Sequence, residues 1–233
     1  MRWTNRIATN LPWPAEIAHR GNKEQVAAQI VSKVNDGDVI GVGSGSTAFL
    51  ALQVIARDAA ARKLRLTAIP TSAEVALACA ALGIPTTSLL ETRPDWCFDG
   101  ADEVDPRNNL IKGRGGAMFR EKLVALASPR IYILIDPSKL VQSLGERFPI
   151  PVETYPDSLH YVEGALASLG AVQVQLRLAT AKDGPVITES GNFILDARFE
   201  KIRPELEKEI KSLCGVIESG LFIGYNVELL VAR

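Results

Sequence analysis

Short apolar segments alternate with longer helical segments through the first 135 residues, and this alternation limits what the chain can fold into. The segments DVIGVG, LRLTAIP, DWCFDGAD and RIYILID predict strands, and the stretches between them carry apolar residues at helical spacing. Strands that alternate with helices form a mostly parallel sheet with helices on both faces. Such sheets bind ligands at the carboxyl ends of their strands, so we expect the turns after these strands to open onto one edge.

The pattern changes near ERFPIPVETYPDSL, where three prolines predict a domain boundary. Beyond it, a helix near 158–169, two strands and a second helix predict a smaller α+β unit with an antiparallel sheet. The predicted division is an N-terminal arm at 1–22, an α/β catalytic domain at 23–147 and 214–233, and a small α+β domain at 148–213. The last segments, GVIESGLFI and NVELLVAR, are predicted to be strands that return to the first sheet.

Composition excludes several classes of function. The 26 basic and 27 acidic residues give a formal charge of −1, so no overall field attracts the protein to nucleic acid or to a membrane surface. No apolar run approaches the ~20 residues of a membrane span. Three cysteines without a C-x-x-C pair argue against a disulfide framework and against a zinc site. We therefore predict a cytoplasmic protein with no metal, no nucleic-acid partner and no membrane partner.

The segment GVGSGSTAF places small and hydroxyl residues between a predicted strand and the start of a predicted helix. Backbone N–H groups, the hydroxyls of Ser44, Ser46 and Thr47, and the positive end of the helix together form a good cradle for a phosphate. The segment also fits a loose G-x-G-x-x-A pattern, but the next strand ends without the acidic residue that binds a ribose, so a dinucleotide site is the weaker interpretation. A tight turn with a helix cap is the purely structural alternative.

Four further side chains carry chemistry in the stretch from 95 to 126. Asp99 and Asp102 end an apolar strand, Lys112 precedes a glycine cluster, and Glu121 lies one turn into the next helix. A surface turn, a solvated loop lysine and a solvated helix carboxylate are the structural alternatives. Together with the cradle, these groups suit proton transfer between adjacent carbons of a phosphorylated sugar, which needs a base, a group that neutralises an enediolate oxygen and an anchor. That chemistry needs no redox cofactor.

The sequence resembles the type A ribose-5-phosphate isomerase family. The matching segments are GVGSGSTA, TS at 71–72, DGADEVDPRNNLIKGRGGAMFREKLVA, IDPSKLVQSLGERFPIPVE and GNFILD, in the family's order. The resemblance implies metal-free isomerisation of D-ribose 5-phosphate and D-ribulose 5-phosphate through a cis-enediolate, without a cofactor, in the non-oxidative pentose phosphate pathway. It also implies a Rossmann-like domain carrying a smaller, ferredoxin-like domain that helps to form a homodimer or homotetramer.

The resemblance also assigns roles to residues. It implies that Glu121 moves the proton between C1 and C2, that Asp99 assists ring opening, and that Lys112 stabilises the developing oxyanion. Asp102 is implied as a partner of the substrate hydroxyls. The groups expected at the phosphate are Lys23, Ser44, Gly45, Ser46, Thr47 and Lys139.

Arg114 departs from the pattern of those bacterial members that have glycine at this position of KGRGGA. An arginine here either narrows the pocket, reaches a substrate oxygen or points to solvent. Two alternatives stay open: the same chemistry on another pentose or tetrose phosphate, with Arg114 as the specificity change, and a non-catalytic sugar-phosphate sensor, because related sheet domains serve as effector-binding modules. The sensor predicts an attached helix-turn-helix and loss of the base or the lysine, whereas Glu121 and Lys112 are both present.

Overall fold

The computed structural model describes residues 17–232, so residues 1–16 of the predicted arm lie outside the described part. These residues form two compact units, each with its own apolar core. Unit 1 contains the described residues up to Gly100, then Leu123–Pro137, and those from Val227 onwards. Unit 2 contains Ala101–Lys122 and Ser138–Asn226.

The helices and strands are numbered in chain order. The helices are α1 Arg20–Ile30, α2 Ser46–Arg62, α3 Ala73–Leu82, α4 Met118–Ala127, α5 Leu159–Ser168 and α6 Leu206–Lys211. The strands are β1 Val39–Val42, β2 Thr67–Pro70, β3 Trp96–Asp99, β4 Glu103–Val104, β5 Leu110–Ile111, β6 Ile131–Ile135, β7 Ile150–Thr154, β8 Ala171–Leu176, β9 Phe193–Phe199, β10 Val216–Ser219, β11 Leu221–Phe222 and β12 Val227–Val231.

Unit 1 is built on a five-stranded sheet with the order β12-β6-β3-β1-β2, and every strand pair in it is parallel. Its alternate residues face opposite sides. Ile40, Phe98 and Leu134 belong to the core that contains residues of α1, α2 and α3. On the other face, a Cβ at Gly41 would lie 2.4 Å from Cγ1 of Val124 in α4. Helices therefore cover both faces, which confirms the predicted fold class.

The helix α3 has a capping residue at each end. The hydroxyl of Ser72 accepts a hydrogen bond from the N–H of Val75 at 3.3 Å and so caps the first turn. Gly83 has φ +73°, a conformation that glycine adopts without the steric cost of a side chain, and it ends the helix.

Unit 2 contains a four-stranded antiparallel sheet, β10-β7-β9-β8, and a three-stranded sheet, β11-β5-β4. The helices α5 and α6 contribute Val162 and Leu206 to the same core as Val152 of β7 and Leu195 of β9. The smaller antiparallel sheet with helices is confirmed as part of the predicted fold class.

The prediction that GVIESGLFI returns to the first sheet is wrong, because only β12 joins that sheet. The strand β10 pairs with β7, and β11 pairs with β5. Between them, Gly220 donates its N–H to the Pro151 oxygen at 2.7 Å and accepts from the Lys112 N–H at 2.9 Å. A Cβ at Gly220 would lie only 2.1 Å from the Lys112 oxygen, so the glycine allows this close approach.

The proline-rich stretch predicted as a boundary contains β7, which lies between β10 and β9 in the antiparallel sheet. Because β4, β5, β10 and β11 pair within unit 2, its bounds also differ from the predicted ones: residues 101–122, 138–147 and 214–226 belong to it. The helix α1 begins at Arg20, three residues before the predicted start of the domain at residue 23.

Two carboxyl groups face each other across β7 and β10, where Glu153 lies opposite Glu218. Glu153 is 1 % exposed, and its Oε1 accepts from Thr188 Oγ1 and from Asn192 Nδ2, both at 2.8 Å. Burial raises the pKa of Glu153; these two hydrogen bonds and Lys211 oppose the shift, and Glu218 adds to it. The pKa of this carboxyl is higher in the folded chain than in the unfolded chain. The folded protein therefore loses stability as the pH rises from the unfolded-state pKa through the folded-state pKa.

We expect Glu153→Gln to raise the melting temperature at pH 7 by about 2–4 °C. Glutamine keeps an oxygen for Thr188 and Asn192 while it removes a buried charge. Below about pH 4 the glutamate is protonated in both the folded and the unfolded chain, so the difference should disappear there. Melting curves at several pH values test this, with the exposed Glu200→Gln as control. An equal gain at pH 4 and pH 7 would assign the effect to packing rather than to charge.

Candidate active site

The turns after the parallel strands of unit 1 meet at one edge of the sheet, as predicted. The N–H of Gly43 donates to the Phe98 oxygen at 2.9 Å, and the N–H of Thr71 donates to the Val42 oxygen at 3.1 Å. The hydroxyl oxygens of Ser44 and Thr71 lie 2.9 Å apart. The turn that follows β1 is therefore hydrogen-bonded both to β3 and to the turn that follows β2.

The start of α2 has the features of an anion site. Gly45 precedes the helix with φ +97°, a conformation that favours glycine. Ser46 and Thr47 occupy the first turn, where backbone N–H groups have no acceptor within the helix. The Nζ of Lys23 donates to Ser46 Oγ at 2.9 Å, and Lys23 is only 8 % exposed. An ammonium, hydroxyls and a helix start thus converge within unit 1, and the predicted phosphate site at this place stays a prediction.

Asp99 is buried at the end of β3, beside the glycine turn. Its Oδ1 accepts from the N–H of Gly100 at 2.7 Å. A Cβ at Gly43 would lie 2.0 Å from the Asp99 carboxyl carbon, so the carboxyl group occupies the space that a side chain at residue 43 would need. Gly43 therefore has a steric role, which motif spacing alone does not reveal.

Lys112 and Glu121 form a buried ion pair in unit 2. The Nζ of Lys112 lies 3.1 Å from Glu121 Oε2, and the two side chains are 5 % and 6 % exposed. This burial contradicts the alternatives of a solvated loop lysine and a solvated helix carboxylate. Lys112 follows β5, and Glu121 lies in the first turn of α4, where the helix end favours negative charge. The pair combines a carboxylate able to accept a proton with a cation able to neutralise an oxyanion.

Asp102 is tied to the glycine-rich turn that joins Lys112 to α4. Its backbone N–H donates to the Ile111 oxygen at 2.8 Å, and its Oδ2 accepts from the N–H of Arg114 at 3.2 Å. The guanidinium of Arg114 lies 4.8 Å from the ring centroid of Phe148, a cation–π contact. The ammonium of Lys139 lies 5.8 Å from the same ring, within unit 2, and its predicted role at the phosphate stays a prediction.

The third carboxylate of DGADE has a separate structural function. Glu103 is fully buried, and its two oxygens accept from the N–H groups of Gly145, Arg147 and Phe148 at 2.6–2.8 Å. Hydrogen bonds from three backbone donors satisfy a buried charge and fix the segment that precedes β7. No local sequence signal distinguishes this carboxylate from its neighbour Asp102.

Lys122 is a second group whose function sequence reasoning missed. Its buried Nζ donates to Glu207 at 2.7 Å, to Glu218 at 3.0 Å and to the Leu221 oxygen at 2.7 Å. These contacts hold the first turn of α4, which carries Glu121. The partners lie 85 to 99 residues further along the chain, so no local pattern could identify them.

Two further features bear on cofactors and on membranes. Between residues 17 and 232, no group of three or more His, Cys, Asp and Glu side chains has an arrangement that could hold a metal ion. No helix in that range is long and apolar enough to cross a membrane. The expectation that catalysis needs no metal stays a prediction.

Comparison with known proteins identifies the family. The sequence profile of ribose 5-phosphate isomerase A (phosphoriboisomerase A) matches residues 67–233. A ribose-5-phosphate isomerase A from Synechococcus sp. is 44% identical over 215 residues, which cover 91% of this chain and 92% of that protein. One from Methanothermobacter thermautotrophicus is 41% identical over 204 residues, covering 87% and 89%. The chain belongs to the ribose 5-phosphate isomerase A family, as the sequence resemblance predicts.

Solved structures agree with this result. Ribose 5-phosphate isomerase A from Methanocaldococcus jannaschii is 41% identical, with a TM-score of 0.89 over 93% of this chain and 96% of that one. A D-ribose-5-phosphate isomerase solved in complex with phospho-erythronic acid is 34% identical, with a TM-score of 0.88 and the same coverage.

We expect Lys23→Gln to weaken the binding of inorganic phosphate on the order of 10-fold, because a charge-assisted hydrogen bond in a mostly buried position is lost. Titration calorimetry of the purified protein measures this affinity. Lys33→Gln is the matched control, since Lys33 is paired with Glu228 instead of a residue of the α2 turn. Equal phosphate affinity in the wild type and Lys23→Gln would remove Lys23 from the anion site.

Proposed function

We propose that this chain interconverts D-ribose 5-phosphate and D-ribulose 5-phosphate. The observation that carries the proposal is the buried Lys112–Glu121 pair, in a chain that belongs to the ribose 5-phosphate isomerase A family. Aldose–ketose isomerisation needs a base beside the reacting carbons and a cation for the enediolate oxygen, and this pair supplies both. The phospho-erythronic acid held by a relative that is 34% identical also supports a phosphorylated sugar as substrate.

In the proposed reaction, Glu121 takes the proton from C2 of the open aldose. The electron pair of the broken C–H bond forms the C1=C2 double bond, and the carbonyl electrons move to O1. The Lys112 ammonium stabilises the negative charge that develops on the enediolate oxygen as this intermediate forms. Glu121 then returns the proton to C1: the electron pair of the C1=C2 bond forms the new C1–H bond, the O2–H electron pair forms the C2=O2 carbonyl, and the O2 proton passes to O1, which completes the ketose.

The remaining groups bind and prepare the sugar. Asp99 accepts the proton of the C1 hydroxyl as the C1–O4 bond of the furanose breaks, and the proton returns from Asp99 to O4. Asp102 accepts hydrogen bonds from substrate hydroxyls. The phosphate binds at Ser44, Gly45, Ser46 and Thr47, with Lys23 and Lys139 as cationic partners. Binding energy gained at this phosphate, which does not react, orients the carbons that do.

A homodimer or homotetramer and a cytoplasmic location belong to the same proposal. The thiols of Cys79, Cys97 and Cys214 are not joined in disulfides, which supports a reducing compartment. The presence of both Glu121 and Lys112, as a buried pair, favours catalysis over a non-catalytic sugar-phosphate sensor.

The purified protein is expected to form ribulose 5-phosphate from ribose 5-phosphate in the presence of a metal chelator. A colorimetric ketopentose assay measures the rate, and a panel of other pentose and tetrose phosphates tests the choice of substrate. Faster conversion of another sugar phosphate would change the assigned substrate but not the chemistry. Binding of ribose 5-phosphate with no conversion of any sugar would instead indicate a sensor.

Glu121→Gln is expected to lower kcat by about 10² to 10⁴, because an amide of nearly the same shape cannot accept the proton. KM should change much less, since the proposed binding groups are unchanged. Steady-state kinetics on ribose 5-phosphate measure both constants, with the exposed Glu163→Gln on α5 as control. Near-normal turnover in Glu121→Gln would mean that another residue is the base.

A further inference from the structure

Arg177, which follows β8, reaches the glycine-rich turn after Lys112. Its Nη1 donates to the oxygen of Gly113 at 2.8 Å and to the oxygen of Arg114 at 3.0 Å. Its Nε and Nη2 donate to the two carboxylate oxygens of Asp196 on β9. The side chains of Arg177 and Asp196 are 15 % and 19 % exposed. The planar guanidinium is therefore fixed on one side by a carboxylate and holds two carbonyl groups on the other.

One peptide group connects Arg177 to Asp102. The peptide between Gly113 and Arg114 accepts from Arg177 through its oxygen and donates to Asp102 Oδ2 through its N–H at 3.2 Å. Because a peptide group is planar, fixing the direction of its oxygen also fixes the direction of its N–H. A cation at the oxygen also polarises the group and strengthens the hydrogen bond from its N–H.

The turn has few other constraints of its own. Gly113 and Gly116 have φ +102° and +80°, and the N–H of Gly116 donates to the Gly113 oxygen at 3.2 Å. Glycine-rich backbone loses much conformational freedom when it is ordered, so an isolated turn of this composition would adopt several conformations. Side-chain hydrogen bonds from the antiparallel sheet select one of them.

Arg177 and Asp196 also face the same open space as Asp102. A cavity of about 240 Å³ within unit 2 is lined by Asp102, Arg114, Arg177 and Asp196, together with Phe148 and three neighbouring apolar residues. A change at Arg177 therefore acts on groups beside this cavity rather than in a remote part of the core.

We propose that Arg177 is a positioning residue of the isomerase: held by Asp196, it orients the Gly113–Arg114 peptide, whose N–H in turn orients the Asp102 carboxylate for the substrate hydroxyls. Arg177 itself does not touch the substrate. The inference rests on the proposed function, because it deepens the role of Asp102 in that reaction.

A double-mutant cycle on ribose 5-phosphate isomerisation tests this. Arg177→Gln alone should lower kcat/KM about 10-fold relative to the wild type. Added to Asp102→Asn, it should lower kcat/KM by less than about 3-fold relative to Asp102→Asn alone. The losses overlap because the arginine acts through the same carboxylate. A loss of kcat/KM in the double variant equal to the product of the two single-variant losses would overturn the proposal, since it would show that Arg177 acts independently of Asp102. Arg177→Lys keeps the charge but not the planar fork, and should recover only part of the loss.

The controls separate a positioning role from a structural one. Melting temperatures are measured for all variants, and Arg203→Gln removes another arginine–carboxylate pair of unit 2, the one with Glu209. A loss in Arg203→Gln equal to that in Arg177→Gln would overturn the proposal. If Arg177→Gln does not fold, the cycle is run with Arg177→Lys and judged by the same criterion of overlapping losses. A wild type that isomerises no sugar phosphate would overturn the proposed function, whereas independent losses in an active enzyme would overturn only this inference.

Discussion

The buried ion pair between Lys112 and Glu121 is a constraint that the rest of unit 2 has to satisfy. Two buried charges 3.1 Å apart are stable only while each keeps the other and both are held in place. The backbone of Lys112 is held by its hydrogen bond to Gly220, and the first turn of α4 is held by the buried contacts of Lys122. These supports come from strands and a helix far along the chain. The tertiary fold, rather than local geometry, therefore keeps a carboxylate next to a cation.

In unit 1 the constraint is steric: at the edge of the parallel sheet, side chains pack directly against the backbone of a neighbouring turn. The carboxyl of Asp99 fills the space where a side chain at Gly43 would lie, and Gly45 turns the chain into α2 with a positive φ. The same glycines expose backbone N–H groups at the helix start, beside the ammonium of Lys23. One set of small residues thus satisfies the packing of the sheet edge and shapes the turn into α2.

Local pattern was enough to predict β1, β2, β3, β6 and β12, since each is an apolar segment between helices or at the chain end. Local pattern did not predict β7, because the prolines in that stretch indicate a boundary instead of a strand. It also did not predict β4 and β5, because each has only two residues. The placement of β10 depends on pairing across more than 60 residues, which periodicity cannot show. The same limit of local sequence pattern applies to the candidate site. Motifs identify Lys112 and Glu121 one by one, but their burial, the separate role of Glu103 and the contact of Arg177 all require the tertiary structure.

The turn between Lys112 and α4 shows why an arginine at 114 is compatible with this site. The contacts that orient the turn use backbone atoms, and residue 114 supplies two of them: its N–H donates to Asp102, and its oxygen, like that of Gly113, accepts from Arg177. A glycine would supply the same two atoms. The guanidinium of Arg114 lies over Phe148 instead, on a ring shared with Lys139. The backbone of residue 114 thus serves the geometry of Asp102, while its side chain can change without altering that geometry.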